Sequence, residues 1–82
     1  MKLPRDLGAV ELRRLLARYG YSVTRQTGSH IRLTTMTMQG GEHHITIPAH
    51  DSLRVGTLNA ILTDVATHLQ KTKEAVVREL FP

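Results

Sequence analysis

Cysteine is absent from this chain of 82 residues. That excludes a disulfide framework, a thiolate metal site and a cysteine nucleophile, and it fits a reducing compartment. Aromatic residues are almost as scarce: Tyr19, Tyr21 and Phe81 are the full set, and tryptophan is missing. A platform for stacking the bases of a single strand is therefore poorly supplied. The longest apolar stretches, such as Ala75-Val76-Val77, are far shorter than a membrane span or a signal-peptide core. The expectation is a cytoplasmic protein with no membrane partner. Acidic residues are few and stand singly, at Asp6, Glu11, Glu42, Asp51, Asp64, Glu74 and Glu79. Without DxD or paired-carboxylate spacing, a two-metal nuclease is disfavoured. Walker and GxGxxG patterns are lacking, so no nucleotide cofactor is expected, and without GxSxG there is no nucleophile elbow.

What is present is a surplus of base. Eleven Lys+Arg residues against seven Asp+Glu give a formal charge of +4 and an isoelectric point near 10.1. Such a surface favours polyanions, and the five histidines would strengthen that preference as pH falls through about 6.5. The length predicts one domain, burying roughly two-thirds of the surface its unfolded chain exposes. Its chemistry must then lie near its surface. Hydrophobic residues at 40% suffice for one modest core.

Periodicity divides the chain into six elements. From a start between Asp6 and Ala9, Leu12, Leu15, Leu16 and Tyr19 form the apolar stripe of a helix that Gly20 stops. Arg13, Arg14 and Arg18 lie off the stripe, and Glu11 is spaced to pair with Arg14, which makes the outer face basic. Tyr21 to Gln26 alternates as a strand with Tyr21 and Val23 inward. Thr27-Gly28-Ser29 turns into a second strand, His30 to Thr34, where Ile31 and Leu33 share one face and His30, Arg32 and Thr34 the other. Met36 to Met38 either prolong that strand or begin a loop. Gly40-Gly41 signals a turn into a third strand, Glu42 to Ile47, which Pro48 ends. A polar connection, Ala49 to Arg54, precedes the strongest helical pattern, Leu58, Ile61, Leu62, Val65 and Leu69, with Thr57 as N-cap and Val55 as a staple. Thr72 then caps a last helix carrying Val76, Val77, Leu80 and Phe81. The order α-β-β-β-α-α predicts an α+β two-layer sandwich, a three-stranded antiparallel meander whose one apolar face is covered by helices.

His30 is the first candidate for chemistry. It opens a strand after a Gly-Ser turn and shares the polar face with Arg32, with Arg25 near it across the hairpin. An imidazole beside guanidinium groups suits proton transfer at a phosphodiester, the arginines holding the phosphate charge. The plainer reading is a solvent-facing strand histidine. His50 precedes the second major helix, whose free amides at Gly56, Thr57 and Leu58, reinforced by Arg54, form a potential anion site. The plainer reading is a loop histidine satisfying backbone groups after Pro48. His43 and His44 point to opposite faces and cannot chelate one metal together. A zinc site from His30, His44 and His50 has no supporting ligand spacing, so no metal is expected. His68 reads as a partly exposed helical residue. Ser29 is a weak nucleophile for His30, because neighbours on a strand project oppositely.

Helix, strand, Gly28-Ser29-His30, two strands, Pro48-Ala49-His50, and Gly56-Thr57-Leu58 opening a helix occur in that order over roughly residues 5 to 70. In this conjunction the chain resembles the HicA toxin family of bacterial and archaeal toxin-antitoxin modules. The resemblance implies a fold similar to a double-stranded-RNA-binding domain, cleavage of mRNA that arrests translation, and neutralisation by a HicB-like antitoxin. It assigns catalysis to His30 and an accessory role to His50. It also implies one HicA-like domain over 1–82, with 71–82 as a short helical extension found in some members. Gly8 lacks the serine that often precedes it, which bears on the first helix cap. Joined to the residue reading, the expected reaction is metal-independent, uses no small-molecule cofactor, and draws on Arg25, Ser29, Arg32, His50, Arg54, Gly56 and Thr57 to hold RNA or its phosphates. Two other classes stay open, a non-catalytic double-stranded-RNA-binding module and a basic surface that docks an acidic protein.

Overall fold

A computed structural model describes residues 3–36 and 41–82, so the parts of the expected loop and turn at Thr37, Met38 and Gly40 lie outside the described residues. The elements are α1 (Ala9–Leu16), a 3-10 turn (Ala17–Tyr19), β1 (Ser22–Thr27), β2 (His30–Met36), β3 (Glu42–Pro48), α2 (Val55–Leu69) and α3 (Lys73–Leu80). This is the expected α-β-β-β-α-α order, an α+β fold with an open antiparallel sheet in the order β1-β2-β3. Met36 belongs to β2.

α1 runs where its stripe predicts, with Leu12 and Leu16 fully buried and Leu15 and Tyr19 packed at the margin of the core. Gly20 closes it at φ 86, a left-handed conformation that suits glycine. The Glu11 carboxylate turns back to accept from the Gly8 N–H at 3.2 Å instead of pairing with Arg14. An unpaired amide at a helix start is a better partner for a carboxylate than an exposed guanidinium.

Three expectations at the start of α2 are corrected. The N-cap is Arg54, not Thr57, and the Leu58 N–H donates to the Arg54 carbonyl at 2.9 Å. Arg54 contributes no side-chain cap; the start is set by Leu53, which is 2% exposed and joined through its N–H to the Leu7 carbonyl at 2.8 Å. The supposedly polar connection thus supplies a core residue. Val55, read as a staple, is 46% exposed. At α3 the expected cap is present, with Thr72 Oγ1 accepting from the Ala75 N–H at 3.0 Å. Val76, Val77 and Leu80 are buried against the same core, while Phe81 falls just past the helix end.

The strands β2 and β3 pair without interruption, Ile31 opposite Ile47 and Leu33 opposite Ile45, and these four form the sheet's contribution to the core. Between β1 and β2 the register shifts at a bulge between Val23 and Arg25. Strict alternation would put Arg25 on the same face as Val23. The extra residue instead sends both Thr24 and Arg25 to the face away from the helices, where they line a groove with Arg32 and Thr34. Tyr21 is buried as expected, just ahead of β1. Val23 is not: it lies opposite Leu33 but is 39% exposed, since every residue of this edge strand is exposed. The helices cover the centre of the sheet and leave β1 at its margin.

Candidate functional site

The open face of the sheet carries the histidine singled out from sequence. Gly28 takes φ 53 and heads a two-residue turn that drops the chain into β2 at His30. β2 is the central strand, so His30 is paired on both sides, with Thr27 of β1 and Pro48 of β3. Its backbone is therefore held from two directions while its side chain is exposed. Among the described residues, no side chain bonds its ring.

One rung along, Arg25 and Arg32 are direct cross-strand partners. Like charges in that position repel, a placement sheets ordinarily avoid. Neither guanidinium forms an ion pair among the described residues. Two arginines paired across the strands, one rung from an exposed histidine, are a candidate anion-binding surface, because a guanidinium fork matches the oxygens of a phosphate.

Beyond the arginines is a hydrogen-bonded run that the sequence reading did not anticipate. Thr24 and Thr34 hydroxyls are 2.8 Å apart, Thr34 Oγ1 is 2.7 Å from His44 Nδ1, and His44 Nε2 is 3.2 Å from Glu42 Oε2. With Arg25 and Arg32 these residues line a shallow groove of about 280 Å³. Strand parity already placed His44 on this side; its partners needed the register. His44 pairs with Thr34, two rungs from His30, a separation of about 14 Å along the strand. These two histidines therefore do not converge on one ligand.

His50, Arg54, Gly56 and Thr57 fall elsewhere. Arg54, Gly56 and Thr57 begin α2 in the helical layer, and no hydrogen bond or ion pair ties them to His30, Arg25 or Arg32. The side chain of His50 is exposed, but its backbone is busy: its N–H donates to the Pro48 carbonyl at 2.8 Å and its carbonyl accepts from the Ala9 N–H at 3.0 Å. Its neighbour Ala49 donates to the Ser29 carbonyl at 2.7 Å. Ser29 thus contributes to the site at least through its backbone, fastening the turn before His30 to the segment after β3.

A second histidine cluster lies toward the helices. His43 Nε2 is 3.2 Å from Asp64 Oδ1 and Nδ1 is 2.7 Å from the Tyr21 hydroxyl. A carboxylate only accepts, so Nε2–H donates to Asp64 and, in the neutral ring, Nδ1 accepts from Tyr21. The His68 ring stacks on His43 at 4.2 Å and 6°. Burial, then the charge of Asp64, pushes the Tyr21 hydroxyl up to about 12. Burial, then repulsion from His43, holds His68 below the ordinary imidazole value, with Asp64 opposing. This cluster joins β3, α2 and the entry to β1, and sits on the face opposite His30.

Fold and site together define a class: a small two-layer α+β domain whose uncovered sheet face presents cations and imidazoles. No described helix is long and apolar enough to cross a membrane. The family described as the HicA toxin of bacterial toxin-antitoxin systems matches residues 9–66, and the chain belongs to that family. The match spans α1 through most of α2, so α3 lies outside it. No curated protein and no solved structure gave a significant match.

Proposed function

We propose that this toxin is an endoribonuclease that cleaves mRNA in the cytoplasm and is neutralised by a HicB-like antitoxin protein. Family membership supports the toxin role, and the observation that carries the chemistry is the exposed His30 one rung from Arg25 and Arg32, neither of which forms an ion pair among the described residues. In the proposed reaction the 2′-oxygen of the RNA bonds to the adjacent phosphorus and the bond to the 5′-oxygen breaks. His30 moves a proton, taking it from the 2′-hydroxyl or giving it to the departing 5′-oxygen, while the guanidinium groups hold the phosphate charge. The products are a 2′,3′-cyclic phosphate and a 5′-hydroxyl. The substrate brings its own nucleophile, so the protein needs no activated serine and, on this reading, no metal ion. His50, Arg54 and the Gly56 and Thr57 amides are assigned an accessory part, contacting RNA beyond the scissile phosphate.

A positioned acid or base contributes typically ~10²–10⁴-fold. His30→Ala is therefore expected to lower cleavage of a single-stranded transcript by at least about a hundredfold while leaving the circular dichroism spectrum and RNA affinity near the parent values. Cleavage at the parent rate by the purified variant would remove His30 from the chemistry, and loss of parent activity in excess EDTA would restore a metal. A non-catalytic double-stranded-RNA binder is the alternative favoured by the arginine-bearing face of α1. That protein would bind duplex RNA with steep salt dependence and leave transcripts intact.

A further inference from the structure

The groove that Arg25 and Arg32 line holds more chemistry than phosphate binding requires. Of its six lining residues, Thr24, Arg25, Arg32, Thr34, Glu42 and His44, the ribonuclease reading uses only the arginines. We propose that the groove is a nucleobase subsite that selects guanine in the RNA strand crossing His30. The proposal rests on RNA being the ligand of the open face, as argued above.

The polarity of the hydrogen bonds sets the selectivity. Glu42 accepts, so His44 Nε2–H donates to it at 3.2 Å. In the neutral ring His44 Nδ1 then accepts from the Thr34 hydroxyl at 2.7 Å, which in turn accepts from Thr24 at 2.8 Å. Every donor in the run points toward Glu42, leaving its carboxylate as the groove's terminal acceptor, braced by the His44 ring. A carboxylate has about four lone-pair sites, and His44 uses one.

Guanine alone among the four bases carries two adjacent N–H donors, at N1 and N2, which match a carboxylate pairwise. The groove sets Glu42 on the same surface as Arg25 and Arg32; the guanidinium groups hold the phosphate, and discrimination among bases falls to the carboxylate. Adenine and cytosine offer one amino group beside a ring nitrogen that repels the carboxylate. Uracil offers one N–H between two carbonyl oxygens and is the poorest fit.

Geometry separates this subsite from the scissile position. His44 lies about 14 Å along the strand from the His30 rung, with Arg32 between them. A strand whose scissile phosphate is held at the arginines therefore places the base of a neighbouring nucleotide toward Glu42 and His44. A volume of about 280 Å³ is at the small end for ligand sites and suits a single base.

The test uses ligands that cannot be cut. Fluorescence anisotropy would measure binding of short oligouridylates, 2′-O-methylated throughout, that carry one central guanine, adenine, cytosine or uracil. The guanine ligand is expected to bind about tenfold tighter than the all-uracil one. Glu42→Gln, which keeps the side-chain size but loses the paired acceptor, is expected to bring that ratio close to one. The ratio is the readout because removing a negative charge raises affinity for every ligand. Competition against the parent protein by guanosine monophosphate and by uridine monophosphate needs no variant and should show the same order. Equal binding of all four ligands by the parent, or a full guanine preference in Glu42→Gln with an unchanged melting temperature, overturns the subsite. Guanine preference without cleavage of unmodified RNA would keep the subsite and remove the nuclease; cleavage that His30→Ala abolishes, without base preference, would do the reverse.

Discussion

Gly8 tests whether the frame behind the site is as tight as its contacts indicate. An added Cβ there would press into the carbonyl oxygen of Asp51 and lie 3.1 Å from its carbon. Both atoms are backbone, so no rotamer change relieves the clash. The surrounding segments are already fastened: Ala9 N–H to the His50 carbonyl at 3.0 Å, Leu53 N–H to the Leu7 carbonyl at 2.8 Å, and Ser52 Oγ to the Arg5 carbonyl at 3.4 Å. Overpacking of this kind costs about 1–3 kcal/mol. Disturbing one of the backbone bonds adds about 0.5–1.5 kcal/mol. The smaller entropy of the unfolded alanine chain returns about 0.4–1 kcal/mol. Gly8→Ala should therefore destabilise by about 2 kcal/mol, a fall in melting temperature of roughly 10 °C. The backbone conformation is not the cause, since φ at Gly8 is −94. Gly56 provides the matched control: it is exposed in the first turn of α2, and an added Cβ meets nothing within 4 Å. There the same substitution should stabilise by about 0.5–1 kcal/mol. Urea unfolding followed by far-ultraviolet circular dichroism measures both. Shifts in the same direction, or a Gly8→Ala protein within about 0.5 kcal/mol of the parent, would refute the reasoning.

Three further outcomes follow from the core and the second histidine cluster. Folded His68 takes up its proton less readily than the unfolded chain, so its contribution is complete above about pH 6.5 and is lost as pH falls through its depressed folded value. The parent melting temperature should drop more steeply than that of His68→Gln between about pH 7 and 5, above the range where Glu79, held low by Lys71 and Tyr19, begins to titrate; equal slopes would sink this account. At the alkaline end Tyr21, raised from 10.0 to about 12, should hold its contribution up to pH 10.0 and lose it toward 12, a loss absent from Tyr21→Phe. Leu80, 3% exposed, should cost about 2–4 kcal/mol on replacement by alanine, and a cost below about 0.5 kcal/mol would show α3 to be loosely docked.

Elements with one strong period were legible in the residues alone. Leu58, Ile61, Leu62 and Val65 announced α2, and the parity of Ile31 and Leu33 against His30 and Arg32 separated the two faces of β2 correctly. Features that depend on a register shift were hidden. Nothing in Tyr21 to Gln26 marks the bulge that turns Arg25 to the open face, because a bulge is a property of two strands together. Leu53 is a lone apolar residue in a polar stretch and carries no period, so its burial appears only once the Leu7 carbonyl is seen to meet its N–H. The same holds for Tyr21, His43, Asp64 and His68, whose contacts join distant positions. At the site, the order of motifs pointed to His30, whereas the Glu42–His44–Thr34–Thr24 run needed the pairing of β2 with β3.

How a domain this small holds the exposed imidazole proposed to react is answered by backbone. A group that transfers protons has to be kept within about 0.5 Å of its working position. In larger sites a second side chain does this; here none bonds the His30 ring among the described residues. The strand beneath it is central and paired on both sides, the turn before it is set by a glycine at φ 53, and the Ser29 carbonyl is tied to Ala49 at 2.7 Å. The residues after β3 are anchored in turn, through His50 to the first amide of α1 and through Leu53 to the Leu7 carbonyl. Gly28-Ser29-His30 and Pro48-Ala49-His50 are therefore one device in space, although nearly twenty residues separate them in sequence. On the proposed reading this fixes the Cα of His30 firmly and leaves its ring free to meet an RNA whose own 2′-hydroxyl attacks. The precision that the side chain lacks until substrate arrives is then supplied by the phosphate held between Arg25 and Arg32, which makes those arginines responsible for alignment as much as for charge.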